Sequence, residues 1–322
     1  MTHPTRRTTL AALTALALPA QAQQWPGRPL RLIVPYPTGG IADLIGRGLA
    51  ARLAAQLGQP LVVENRAGAS GTIGMDALAK APADGLTLAF SAISPLVLSP
   101  ALGRVPYDPV RDFTPVASVM VSPILLMATN ALAVRDFREL LQHARDWPDT
   151  IRWATSGLAS LGHLMLEEVQ AEAKVRLVHI PYKGGSQQIN DALGAQFEIL
   201  STNAAPALND YFRAGRLRPL AVGAPRRLAS LPQVPTLAEL GFPRANLSSH
   251  FGLFAPGNLP VRLLDRLNGE ANTALEAPEL RARITVAENL VTGGAARDFA
   301  RQIAAEADST QAIVRSVGIR AE

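Results

Sequence analysis

Short apolar runs alternate with stretches of helical apolar spacing over the first third of the chain. Leu30–Val34 is an apolar run that predicts a strand. A helix over 41–57, closed by Gly58, is predicted by apolar residues at helical spacing, namely Leu44, Ile45, Leu49, Leu53 and Leu57. Strands at 61–64 and 86–90 flank a second predicted helix that runs to Lys80. This alternation predicts a parallel sheet with helices on its faces.

A second series of the same kind begins near residue 124. Its predicted strands are 124–128, 151–154, 175–180, 197–200 and 220–222, and its predicted helices are 137–145, 162–172 and 186–194. The segments 93–123 and 225–260 are rich in proline and are predicted as loops and turns, whereas 261–277 and 298–317 are predicted as helices. We therefore predict an α/β protein of two lobes with a ligand cleft between them. Residues 23–124 plus 225–322 form the first predicted lobe, and 125–224 form the second.

The N-terminus has the pattern of a secretory signal. Arg6 and Arg7 precede the apolar run Leu10–Leu18, and Ala20-Gln21-Ala22 is a small-x-small cleavage pattern. We therefore assign residues 1–22 to a signal peptide and expect a periplasmic mature chain. Because the paired arginines also resemble a twin-arginine signal, export by the Sec pathway or by the twin-arginine pathway stays open.

Composition removes several classes of function. The chain has no cysteine, so disulfides, thiol catalysis and sulfur-ligated metals are excluded. Its formal net charge is +5, and loss of the two signal-peptide arginines leaves +3. Aromatic residues make up only 5% of the chain and do not interleave with a basic cluster, so no nucleic acid is expected as a partner. The remaining positive balance would steer small anions only weakly.

Two glycine-containing segments, half a chain apart, lie where a predicted strand gives way to a predicted helix. The first loop follows Val34 and contains Gly39-Gly40, and the second follows Ala154 and contains Ser156-Gly157. Backbone N–H groups at a helix start are unpaired and carry the positive end of the helix dipole, so such loops attract carboxylates and other anions. Two of them in two lobes would hold a small anion from both sides, which favours a binding protein over an enzyme.

The motifs resemble those of a known family, the periplasmic receptors of tripartite tricarboxylate transporters, also called the Bug family. The resemblance covers essentially the whole chain, and its motifs come in family order: 34–40 with Asp43 and Arg47, 58–60 with 63–66, 71–74, 82–88, 106–109, 156–164, 179–184, 231–236 and 252–256. It implies a type II-like periplasmic-binding-protein fold whose two α/β lobes are joined by crossing strands. The chain departs from the family pattern at Thr38, Ala42, Ala159 and His250, so the resemblance does not name the ligand.

The resemblance also implies a carboxylate grip made by the two loops. Carried over by position, the grip comprises Tyr36, Pro37, Thr38, Gly39, Gly40 and Asp43 from the first loop, and Thr155, Ser156, Gly157, Ala159 and Ser160 from the second. For Asp43 an ion pair with Arg47 four residues later is the alternative role. For Thr155, Ser156 and Ser160 the alternative is helix capping, which is compatible with facing a ligand.

Further candidates come from the ends of the other predicted strands. Ligands of parallel sheets bind at the carboxyl ends of the strands, which adds Asn65, Ser91, Asn203 and the Tyr182-Lys183 pair to the predicted ligand-binding set. Lys183 is either an ionic partner for a second carboxylate or a solvated loop residue. His163 lies one turn into the helix after the second loop, where it contacts either the ligand or only the protein.

Catalytic patterns are incomplete. A Gly-x-Ser-x-Gly elbow needs a glycine two residues before the serine, and in segment 157–162 that position, before Ser160, is Leu158. Neither a dinucleotide fingerprint nor metal-ligand spacing is present, so we expect no cofactor, no metal and no catalytic residue. The sequence thus predicts a monomeric receptor that delivers a small carboxylate to membrane transporter subunits. A periplasmic sensor acting on a histidine-kinase ectodomain and a serine hydrolase using Ser160 are the alternatives.

Overall fold

The computed structural model describes residues 25–317. Its first series of elements is β1 (Leu30–Val34), α1 (Ile41–Leu57), β2 (Leu61–Asn65), a 3₁₀ turn (Ala69–Gly71), α2 (Thr72–Ala79), β3 (Thr87–Ala92) and α3 (Ser94–Leu102). Strand β1 lies between β2 and β3 and is parallel to both. The carboxyl ends of the three strands, and the helix starts that follow them, therefore lie at one edge of this sheet.

The second series follows a long strand, β4 (Phe113–Thr129). It consists of α4 (Phe137–Asp146), β5 (Arg152–Thr155), α5 (Leu161–Ala173), β6 (Val178–Pro181), α6 (Gly185–Leu193), β7 (Ile199–Asn203), α7 (Pro206–Arg213) and β8 (Leu217–Gly223). Strand β5 lies between β6 and β7 and is parallel to both, which repeats the arrangement of the first series. The chain closes with β9 (Ser248–Pro256), α8 (Val261–Glu276), α9 (Pro278–Thr285), β10 (Leu290–Val291) and α10 (Ala296–Val317).

Strands β4 and β9 join the two series into a two-lobed molecule. The first part of β4, Phe113–Pro123, pairs antiparallel with β9, which in turn pairs with β3. From Ile124 onward, β4 pairs instead with β7 and β8 of the second series. One strand thus belongs to both halves of the sheet, and the cleft edges of the two series face each other across it.

Each half has its own apolar core. In the first, β1 and α1 pack Leu32, Ile45 and Leu49, all fully buried, against helix α8. In the second, the fully buried Trp153 of β5 packs with Leu126 of β4 and with residues of α5. Burial of each such side chain stabilises the fold by about 1.5–3 kcal/mol.

Proline misled the sequence prediction in two segments. The region 93–123, predicted as loop, contains α3 and most of β4, and the region 225–260 contains β9. Pro95 occupies the first turn of α3, where a missing N–H costs no helical hydrogen bond. Pro115 lies at an irregularity of the β4–β9 register, and Pro123 lies at the end of that pairing. Helix α7 was also missed, because it is short and follows directly on β7.

Two predictions on chain organisation are not tested by these elements. The signal peptide predicted for residues 1–22 lies outside the described residues. The predicted boundaries at 124/125 and 224/225 stay predictions, since β4 runs through the first of them without a break. Across residues 25–317 no helix combines the length and the apolar character that crossing a bilayer requires.

We predict opposite effects of the same substitution at two glycines. Gly252 in β9 faces the ring of Phe299, and a Cβ there would overlap that ring, so Gly252→Ala should destabilise the protein by about 1–3 kcal/mol. Gly269 lies exposed within α8 with no neighbouring atom in the way, so Gly269→Ala should stabilise it by about 0.5–1 kcal/mol. The Tm of each variant, measured by thermal unfolding, shows whether the protein has become less or more stable than the wild type. A Gly252→Ala protein as stable as the wild type would contradict this packing of Phe299.

Candidate functional site

The first predicted loop connects β1 to α1. Gly39 has φ +82°, a left-handed conformation that favours glycine, and no atom lies within 4 Å of the place its Cβ would occupy. Gly40 is the N-cap of α1 and offers no side chain to the first turn. The N–H groups of that turn are therefore left without a helical partner.

The backbone of this loop is held in place by the side chains of Asp43, Asn65 and Arg47. The Asp43 carboxylate accepts hydrogen bonds from Gly39 N–H at 3.0 Å and from Asn65 Nδ2 at 2.9 Å, and pairs with Arg47 at 2.9 Å. Asn65 Nδ2 also donates to the carbonyl of Tyr36 at 3.1 Å. Burial acts to raise the pKa of Asp43, but the hydrogen bonds from Arg47, Gly39 and Asn65 outweigh it and hold that pKa below its ordinary value. The charge of Asp43 is thus used within the protein to fix the backbone of the loop.

The second predicted loop connects β5 to α5. Its backbone turns sharply, with φ +141° at Gly157 and φ +58° at Ala159. The Thr155 hydroxyl accepts from Gly157 N–H at 3.2 Å and lies 3.1 Å from the Gly157 carbonyl oxygen. Ser160 is the N-cap of α5, and its Oγ accepts from His163 N–H at 3.2 Å. The capping role considered for these hydroxyls therefore holds for Ser160.

Two stacked histidines lie behind the second loop. The rings of His163 and His179 are 4.1 Å apart and inclined by 6°. His179 Nε2 lies 2.7 Å from Thr155 Oγ1, and His163 Nδ1 accepts from Ala159 N–H at 3.4 Å. Burial, and then the neighbouring His163, lower the pKa of His179 to about 4. At pH 7 a neutral His179 thus supports the second loop through its contact with Thr155.

The two lobes touch across the mouth of the cleft. The Ser70 hydroxyl of the first lobe donates a hydrogen bond to the Leu158 carbonyl of the second loop. Gly184, which precedes α6, lies so close to Pro37 of the first loop that a Cβ there would overlap the proline ring. The lobes are therefore in a closed arrangement.

A cavity of about 200 Å³ lies between the lobes behind these contacts. Seven of the predicted ligand-binding residues line it: Tyr36, Pro37, Gly39, Gly40, Ser156, Ser160 and Asn203. Both loops therefore face the same space, one from each lobe, and the helix starts of α1 and α5 converge on it.

The other ten predicted residues do not line the cavity. They are Thr38, Asp43, Asn65, Ser91, Thr155, Gly157, Ala159, His163, Tyr182 and Lys183. Ser91 is buried and donates to the Ala92 carbonyl, and the Tyr182 hydroxyl donates to Asp191 at 2.7 Å. Lys183 is exposed. Several of these residues support the loops instead, and direct ligand contact by any of the seventeen stays a prediction.

Sequence reasoning missed much of the cavity wall, and two groups of the missed residues are instructive. Gly184, Gly185, Ser201 and Thr202 follow β6 or end β7, and the strand-end rule that selected Asn203 could have found them. Ile124, Ser249 and Phe251 come from the crossing strands β4 and β9. No sequence signal pointed to the last two, because β9 lies in the proline-rich segment that was predicted as loop.

The arrangement does not suit hydrolysis by Ser160. The His163 imidazole is directed at Ala159 N–H and at Glu167, whose Oε1 lies 3.5 Å from Nε2. Among residues 25–317, Ser160 Oγ receives only the backbone N–H of His163. A serine nucleophile needs a base positioned on its hydroxyl. Within residues 25–317 no three His, Asp or Glu side chains gather so as to hold a metal ion. The arrangement suits binding of an anion by backbone N–H groups and hydroxyls.

Comparison with known proteins identifies the class. The model of the tripartite tricarboxylate transporter family receptor matches residues 45–319. The chain therefore belongs to this family of periplasmic solute-binding receptors, as the motifs predicted. Protein BugT of Bordetella pertussis is 37% identical over 268 residues, which cover 83% of this chain and 82% of that protein.

Two solved structures share the whole fold. Rpa4515 of R. palustris, solved with adipate, superposes with a TM-score of 0.86 at 32% identity and covers 92% of this chain and 99% of its own. MatC of Rhodopseudomonas palustris, solved with bound malate, gives a TM-score of 0.85 at 28% identity and covers 90% of this chain and 100% of its own. The predicted two-lobed α/β fold is thereby confirmed.

We predict that the half-buried His179 makes the stability of the protein depend on pH. Since the pKa of His179 is lowered from 6.5 to about 4, the unfolded chain takes up a proton at a higher pH than the folded protein. The free energy of unfolding is then highest above pH 6.5 and falls as the pH drops toward 4, by at most about 1.4 kcal/mol per pH unit. His179→Gln should reduce the difference in Tm between pH 7 and pH 5, whereas His143→Gln on α4 should leave it unchanged. Equal pH dependence in the wild type and His179→Gln would contradict the assignment.

Proposed function

We propose that this protein is a periplasmic receptor that binds a small carboxylate between its lobes and delivers it to a transporter of the tripartite tricarboxylate class. It makes and breaks no covalent bond. The observation that carries the proposal is the convergence of two glycine-containing loops, one from each lobe, on a single cavity. Membership of the receptor family supports the delivery role.

The chemistry of the loops supports a carboxylate as the ligand. The first turn of α1 has no side-chain cap, so its N–H groups are available to an anion together with the dipole of a 17-residue helix. Ser156 and Ser160 add hydroxyl groups from the opposite lobe. Adipate and malate, present in the two R. palustris structures, are carboxylates, which also supports this class.

The expected number of contacts is consistent with useful affinity. Micromolar binding corresponds to about −8.2 kcal/mol. Hydrogen bonds to a charged group contribute about 1.5–3 kcal/mol each, so three or four to one carboxylate supply most of that. Association entropy opposes binding, and burial of the ligand's apolar part offsets it.

Closure of the lobes around the ligand is the conformational change on which the receptor's function depends. A ligand that contacts both loops favours the state in which they face each other, and so shifts the population toward the closed form. The Ser70–Leu158 hydrogen bond and the contact of Pro37 with Gly184 belong to that closed form. A transporter subunit that recognises closed lobes would therefore distinguish loaded from empty receptor.

We predict that Gly39→Asp abolishes carboxylate binding while the protein still folds. A Cβ at this position meets no atom within 4 Å, and Asp tolerates positive φ better than most residues, but its charge repels a carboxylate in the loop. Isothermal titration calorimetry with a carboxylate selected by a thermal-shift screen should show a loss of at least about tenfold in affinity, which is 1.4 kcal/mol.

Two control variants separate charge from backbone strain. Gly39→Asn places a neutral side chain of the same shape at the same φ and should lose much less affinity than Gly39→Asp. Gly58→Asp repeats the change at φ +67°, where the helix ends and nothing lies within 4 Å, and should bind like the wild type. Unchanged affinity in folded Gly39→Asp would refute a ligand carboxylate at this loop.

A further inference from the structure

Two buried polar side chains at the junction of the lobes have unpaired atoms. Asn289, just before β10, is 1% exposed, and within residues 25–317 neither Oδ1 nor Nδ2 of its amide has a hydrogen-bond partner. Ser122 of β4 is fully buried, and its Oγ is likewise unpaired among those residues. Removing an amide or a hydroxyl from water without a replacement hydrogen bond is costly, so these atoms need an explanation.

The strand register brings these two residues side by side. Strand β10 pairs antiparallel with β4, with Leu290 opposite Val121. One further step in the same register places Asn289 opposite Ser122. Residues directly opposite each other in an antiparallel pair carry their side chains on the same face of the sheet, with Cβ atoms about 4.5–5.5 Å apart. A single small molecule can therefore contact both side chains.

The face of the sheet that carries these side chains leads to the cavity between the lobes. On its other edge β4 pairs with β9, where Ser122 lies opposite Ser249, a residue of the cavity wall. Phe251 is two residues further along β9, on the same face, and also lines the cavity. His250, between them, points to the opposite face, where it contacts helix α10. Asn289, Ser122 and Ser249 thus form a polar row across three neighbouring strands, buried at one end and reaching the cavity at the other.

Water suits the chemistry of this row better than a metal ion does. The Asn289 amide needs an acceptor for Nδ2 and a donor for Oδ1, whereas the hydroxyl of Ser122 can act as either. A water molecule supplies both functions, and buried waters typically make about three hydrogen bonds to polar groups of the protein. A cation could be held by Oδ1 and by Ser122 Oγ, but the Nδ2 hydrogens would stay unpaired beside it.

We infer that Asn289 and Ser122 bind an ordered water behind the cavity wall, and that Ser249 connects this water site to the cavity. The site lies where the two lobes join, because Pro123, the residue after Ser122, ends the pairing of β4 with β9. The Ser122 carbonyl also accepts from the Asn203 amide of the second lobe at 3.4 Å. The bound water therefore links β10 to β4 at the point where the second lobe is attached. The inference requires no particular ligand in the cavity, so it stands or falls independently of the proposed function.

A crystal structure of the mature chain in which ordered waters are visible tests the inference directly. We expect one water within about 3.2 Å of both Ser122 Oγ and the Asn289 amide. In Asn289→Leu, a variant of nearly the same size without polar side-chain atoms, we expect no water at this place. A direct hydrogen bond between Asn289 and Ser122 would overturn the inference. A cation held by oxygens alone, at about 2.3–2.6 Å, would overturn it as well.

Thermal unfolding gives a second readout. Ser122→Ala and Asn289→Leu each leave a buried polar group without its hydrogen bond, so each should lower the Tm by a few degrees. The double variant should lose less than the sum of the two, because both changes remove the same water. Ser99→Ala is the matched control, since Ser99 Oγ on α3 is also buried and unpaired within the described residues but lies outside the row. Its effect should add to that of Asn289→Leu, whereas additive effects of Ser122→Ala and Asn289→Leu would overturn the shared water.

Discussion

The unpaired backbone N–H groups at helix starts are the constraint on which this structure depends. Parallel strands with crossover helices bring those starts to one edge of a sheet, so each lobe presents a row of donors. The first loop turns through Gly39 at a positive φ and exposes the start of α1, while Asp43 and Asn65 satisfy the inner side of the same loop. The buried carboxylate thus shapes the site without entering it.

The crossing strands convert two such edges into one cleft. Strand β4 is 17 residues long and changes partner from β9 to β7 and β8 between Pro123 and Ile124, so a single strand carries the register of both lobes. Because nearly all of β4 is buried, its position is fixed by packing on both faces. The crossing strands also supply Ile124 and Phe251 to the cavity wall. The junction between the lobes and part of the cavity wall are therefore made by the same two strands.

Periodicity predicted most elements of both series, because their strands and helices follow simple apolar patterns. It failed at α3, at the first part of β4 and at β9, where prolines at a first turn, at a register irregularity and at the end of a pairing imitate loop sequence. For the site, the sequence located both loops but not the direction of each side chain. Side chains alternate along a strand, and Thr155, the last residue of β5, is buried against His179, whereas the next residue, Ser156, lines the cavity. The sequence does not show where β5 ends, so it could not assign the two side chains to their sides.

A receptor must also release what it binds, and the distribution of donors bears on how it does so. A grip built from N–H groups and hydroxyls of two lobes exists only while the lobes are closed. Opening would separate the start of α1 from Ser156 and Ser160, so the donors of the two lobes would no longer face one space. A buried arginine would instead keep its partner on one lobe after opening. Under the proposed function, a grip shared between the two lobes would therefore couple affinity to lobe closure.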